Sequence, residues 1–201
     1  MNKNIKRFLQ GLLFILIIVA FIYIGAQDFS TKVIVDNEKF DQEYQNVSKD
    51  NVFHYVNAGD VYSILRSGTA IIFMGFKENS WSGYYANILN ETAKQSGIKE
   101  ILYYDFNEDR KMKNATYQSI VLKLSEYLPT LDDGTKNIYA PTLIIVDNGT
   151  VKLFDSDTSI NIGNITPKEY WDDSRIGIKM TYLKQKFIEH LQYLDSKNKA
   201  K

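Results

Sequence analysis

The sequence predicts an α/β domain, a mixed sheet flanked by helices, preceded by one N-terminal transmembrane helix. Three observations carry this. Ala70–Phe76 (AIIFMGF), Glu100–Phe106 (EILYYDF) and Thr142–Asp147 (TLIIVD) are short apolar runs of strand composition, as expected of strands covered on both faces. Between them lie stretches with helical spacing, and alternating strands and helices argue for parallel pairs joined by crossovers. Phe8 to Ala26 runs nineteen residues with only Gln10 clearly polar. At ~1.5 Å rise per residue a helix of that length spans about 28 Å, close to the hydrocarbon thickness of a bilayer.

The elements follow in order. Residues 1–7 carry Lys3, Lys6 and Arg7, and acids are absent until Asp28. The positive-inside rule therefore puts this tail in the cytoplasm, residues 8–26 in the cell membrane as a single-pass anchor, and the remainder outside the cytoplasm. A cleaved signal peptide is the competing reading, but the apolar stretch is unusually long and Ile24-Gly25-Ala26 is a poor cleavage site. Residues 27–51 are polar and read as a spacer, with the apolar triplet Val33-Ile34-Val35 and a helical turn near Phe40–Val47.

The domain proper is expected over 52–201. Val52–Val56 has strand composition. Asn57 caps a helix over Gly59–Arg66 that Gly68 ends. Ser80–Ser96 reads as a helix with Ile88, Leu89, Thr92 and Ala93 on one face and Gly97 closing it. Met112–Leu128 reads as a helix through Ile120, Leu124 and Leu128. Thr142–Asp147 and Val151–Phe154 flank Asn148-Gly149, a hairpin signal. Lys179–Leu194 is an amphipathic helix through Tyr182, Leu183, Phe187, Leu191 and Leu194.

Composition excludes several chemistries. Basic and acidic residues number 24 each, and Lys3, Lys6 and Arg7 account for three of the basic ones, so the chain beyond residue 26 carries a net charge of −3. That is not the footprint of a nucleic-acid binder. There are no cysteines, so disulfides, thiolate metal sites and dithiol redox cycles are excluded.

Two stretches then resemble the thioredoxin-like family. Residues 71–89 (IIFMGFKENSWSGYYANIL) are similar to the strand-turn-helix that carries the Cys-x-x-Cys motif, and 138–146 (IYAPTLIIV) resembles the cis-proline loop and its strand. Residues 164–171 (NITPKEYW) look like small membrane-anchored or secreted members, among them bacteriocin-transport accessory proteins. The resemblance places the dithiol positions on Asn79 and Ser82, with Ser80 and Gly83 as the register one residue on. It implies that Ala140-Pro141 is cis and that Asn79, Ser80, Trp81, Ser82, Ala140, Pro141 and Thr142 form a groove that pairs with an extended polypeptide. Tyr84, Tyr85 and Tyr139 stand near this groove. Neither register contains sulfur, so thiol–disulfide exchange is lost.

Other constellations are weak. Ser82 as a nucleophile needs a base, and the two histidines, His54 on the first strand and His190 on the last helix, read as a strand residue and as rim packing. No Gly-x-Ser-x-Gly elbow is present. Asp155–Ser159 lacks the glycine and distal glutamate of a calcium loop and reads as solvated, and Asp132-Asp133-Gly134 reads as a turn. The five Asn-x-Ser/Thr sequons are ascribed to asparagine abundance, which with the Ile, Lys and Tyr content fits a low-GC bacterial genome. No metal and no cofactor are expected. The expected function is a redox-inactive, membrane-anchored, extracytoplasmic protein that binds a polypeptide, as an accessory to secretion or peptide export. The alternative is a structural scaffold of an envelope complex with a vestigial groove.

Overall fold

The computed structural model describes residues 32–45, 47–156 and 165–199. The segment 8–26 lies outside them, and among the described residues no helix is long and apolar enough to cross a membrane. The elements are α1 (Asn37–Glu43), β1 (Phe53–Tyr55), α2 (Ala58–Ser67), β2 (Ala70–Gly75), α3 (Ser80–Ser96) and β3 (Ile101–Asp105). Then come α4 (Asn107–Lys111), α5 (Ala115–Lys123), β4 (Thr142–Asp147), β5 (Thr150–Asp155), α6 (Pro167–Tyr170) and α7 (Asp173–Lys199).

The five strands form one mixed sheet in the order β1-β3-β2-β4-β5. β3 runs parallel to β1 and β2, while β4 is antiparallel to both β2 and β5. Successive residues of each central strand feed opposite faces. Ile71, Phe73, Tyr103 and Ile145 pack with α1, α3 and α7, whereas Ile72, Met74, Tyr104 and Ile144 pack with α2 and α5. Both faces are covered, which is why these strands read as continuous apolar runs rather than alternating ones.

Side-chain caps define several ends. Asn57 accepts from the Asp60 amide and Asp60 answers to the Asn57 amide, closing α2 with a capping box. Gly97 ends α3 at φ +78°, the left-handed conformation that glycine adopts without a steric penalty. Asn148 and Gly149 both take positive φ in the β4–β5 turn, the geometry that suits a tight hairpin.

Three expectations need correction. Residues 32–51 are not a free spacer: Phe40, Tyr44 and Val47 are at most 3% exposed. Phe40 stacks on Phe53 with centroids 4.2 Å apart, and Ile34 exchanges backbone hydrogen bonds with Tyr55 along the β1 edge. The helix expected over 112–128 is shorter: α4 has already ended at Lys111, and α5 covers only Ala115–Lys123. Lys113 takes φ +50° and the Asn114 side chain caps a fresh start at Thr116 and Tyr117. Ile120, Leu124 and Leu128 are nevertheless all buried. The last helix runs over Asp173–Lys199, longer at both ends than its apolar stripe, and Tyr182 stands on its exposed side.

Candidate functional site

The site builds from the C-terminal end of β2. Met74 pairs with Thr142 in the antiparallel register, so Gly75 stands beside Pro141 where the two strands end. Gly75 leaves room for α3 to begin there, since a Cβ would lie 3.0 Å from both Ser82 Oγ and Phe73 Cζ. Asn79 is the N-cap of α3. Its Oδ1 accepts the Ser82 amide at 2.9 Å and the Ser82 hydroxyl at 3.2 Å, satisfying one of the helix's orphan donors. Across from it the Ala140–Pro141 peptide is cis, and Thr142 Oγ1 donates to the Tyr139 carbonyl at 2.7 Å.

The residues named from sequence therefore gather at one end of the sheet, but they differ in access. Ser82 and Thr142 are fully buried, Ala140 and Pro141 are buried, Asn79 and Trp81 are half-buried, and Ser80 is exposed. Trp81 is not a lone ring at a turn: Tyr170 meets it edge-on at 5.5 Å, and Tyr170 in turn meets Trp171 at 5.0 Å. Trp171 stacks on Tyr85 at 6.4 Å. A half-buried aromatic ledge thus runs from Trp81 to Tyr170 of α6, with Trp171 buried beside it.

A polar core lies beneath that ledge. The Tyr85 hydroxyl donates to Asp155 at 2.6 Å, and Lys179 Nζ reaches both Asp155 oxygens at 3.1 and 3.0 Å. Asp155 is 5% exposed, so its expected place in a solvated loop is corrected: it ties β5 to α3 and α7. Asp157–Ser159 lie outside the described residues. Asp132-Asp133-Gly134 is the turn it was read as, with Asp133 accepting from Thr135. Of the sequons, Asn90 is buried and accepts from the Val52 amide.

On the other side of the β2–α3 turn, Asp105 at the end of β3 accepts from the Asn107 amide. Burial, the largest influence, holds its carboxyl above the ordinary range, and the nearby Glu78 charge adds to this while the Asn107 contact opposes it. Behind it the Tyr44 and Tyr103 hydroxyls share a hydrogen bond of 2.9 Å, and burial pushes both well above the usual tyrosine value.

Ser82 has no histidine beside it. His54 pairs with Glu100 at 2.7 Å, at the start of β3 and not at its end. His190 is 5% exposed and Nδ1 meets Asp147 at 2.8 Å, at the far end of β4. Sequence reading placed His190 on a rim. The signal available was its spacing from Leu183 and Phe187 on the buried stripe, but nothing local pointed to Asp147, 43 residues away. Among the described residues no group of three acidic or histidine side chains is placed to hold a metal. With no cysteine in the chain, this end of the sheet has no thiol with which to run thiol–disulfide exchange. No family model matches the chain, and no curated protein matches it significantly.

Proposed function

We propose that this chain is a redox-inactive, thioredoxin-like protein, anchored in the cell membrane by residues 8–26 with its domain outside the cytoplasm, that binds a polypeptide partner as an accessory to secretion or peptide export. The observation that carries the reading is the apposition at the end of β2. The first turn of α3, with Asn79 and Ser82 in contact, sits over Gly75 beside the cis Ala140–Pro141 peptide. The strand order and directions support the same family resemblance. In this reading an extended segment lies along the Ala140 backbone, and Trp81 supplies the apolar contact.

Photo-crosslinking in intact membranes tests it, with the probe at position 81 and a control at the exposed Lys184. An adduct from 81 alone, lost on Pro141→Ala, supports the groove. Adducts from 184 alone refute it and leave the second reading, a scaffold subunit whose groove is vestigial. The burial of Ser82, Ala140, Pro141 and Thr142 and the cover that Tyr170 gives Trp81 are what favour that second reading.

A further inference from the structure

At the opposite end of β4 from Pro141, His190 forms part of the wall of two cavities. One, of about 190 Å³, is lined by Asp147 as well. The other, of about 480 Å³, is not. An ionised carboxylate only accepts, so His190 Nδ1–H donates to Asp147. His190 lines the larger cavity as well, and Nε2 stands on the ring edge that Asp147 does not engage. Among the described residues Nε2 has no hydrogen-bond partner. Ile64, Ile71, Leu102, Leu191 and Leu194 supply the apolar wall, and Lys99 and Glu100 stand in the polar part of the lining. Glu100 is engaged by His54. Lys99 is exposed and has no ion-pair partner among the described residues. The volume is in the range of small-molecule sites.

We infer that this cavity binds a monocarboxylate with an aliphatic tail, its carboxyl group held between His190 Nε2 and Lys99 and its tail laid against Ile64, Ile71, Leu102, Leu191 and Leu194. Asp147 fixes the tautomer, leaving the Nε2 lone pair as the acceptor. A carboxylic acid entering the cavity passes its proton to Nε2. The resulting imidazolium sits between the Asp147 carboxylate and the ligand's own, with Lys99 as the second cation, so charge balances inside a largely apolar wall. A long-chain alcohol offers Nε2 a donor but gives Lys99 no anion. Val33 also lines the cavity, seven residues beyond Ala26.

The test uses the full chain in phosphatidylcholine vesicles with a dodecanoate carrying a photoreactive diazirine in its tail. The inference expects adducts within 64–71, 98–102 or 191–194 that unlabelled dodecanoate competes away and dodecanol does not. Labelling falls at least about tenfold, the factor for one lost charge-assisted hydrogen bond, in His190→Gln, which keeps an amide donor for Asp147 but has no basic nitrogen. It falls likewise in Leu194→Trp, which fills the cavity from its half-exposed rim. Adducts confined to 8–26, equal competition by dodecanol, or unchanged labelling in both variants overturn the inference. Alkaline carbonate extraction of the same vesicles tests the anchor separately, so a chain that washes off yet labels at 191–194 loses the anchor and keeps the site.

Discussion

Replacing His190 with leucine isolates the energetics of the buried hydrogen bond between His190 of α7 and Asp147 of β4. Both side chains are nearly sealed, 5% exposed for His190 and 6% for Asp147, and Nδ1 to Oδ1 is 2.8 Å. Removing the histidine leaves the Asp147 carboxylate without its donor in a low-dielectric setting, and that costs ~3 kcal/mol. Leucine is close to histidine in volume, so the loss comes from the stranded carboxylate and not from a void. Replacing Asp147 with valine in the same chain removes the stranded charge and adds a residue suited to a strand. The double variant is therefore expected to lie within ~1 kcal/mol of the parent, with a coupling of at least ~2 kcal/mol in the cycle. Urea unfolding of the full chain in mild detergent reads this directly, because both tryptophans, Trp81 and Trp171, lie in the described domain. A His190→Leu loss below ~1 kcal/mol, or a double variant as unstable as the single one, would refute the claim that Asp147 depends on His190.

Three further outcomes are expected. Gly149→Ala lowers stability by at least ~2 kcal/mol, because φ is +73° and a Cβ there runs into the Arg66 carbonyl; thermal unfolding checks it, and a change under ~0.5 kcal/mol counts against the packed hairpin. Asn79→Cys with Ser82→Cys closes an intramolecular disulfide, since the two side chains already touch, whereas Ser80→Cys with Gly83→Cys does not. Thiol titration and intact mass after mild oxidation distinguish the two registers. Alkaline pH destabilises the domain: the buried Tyr44 and Tyr103 hydroxyls are raised above the usual value of 10.0, so above pH ~10 the unfolded chain releases protons that the folded one holds, and stability falls as pH rises. Urea midpoints at neutral and alkaline pH measure the fall, and Tyr103→Phe must reduce it.

How legible the fold was depends on where each instruction sits. Helix α3 begins and ends where the sequence places it because Asn79 and Gly97 act on their own backbone neighbours. The bounds of α5 were missed although the signal for its start is local. Asn114 is a good N-cap, while Ile120, Leu124 and Leu128 carry the apolar period past Lys123 and so extend the apparent helix beyond its C-terminal end. Phe40, Tyr44 and Val47 were missed for the opposite reason. They are isolated apolar residues in a polar stretch, and only the docking of Phe40 on Phe53 and of Tyr44 on Tyr103, with Val47 in the same cluster, makes them core.

The candidate site divides in the same way. Composition alone determined that no thiol chemistry occurs, since the chain has no sulfur nucleophile, and the strand and helix pattern determined a mixed sheet with helices on both faces. Access and partnership were decided by tertiary structure. Thr142 and Ser82 are polar residues that any local reading leaves open to a ligand, yet the approach of α3 to Gly75 and the hydrogen bond to Tyr139 bury them. Asp147 with His190 and Asp155 with Lys179 and Tyr85 are contacts across 24 to 70 residues. Helix propensity, capping and turn chemistry act within about four residues. Which distant charges meet is settled only when the sheet and its helices close on one another.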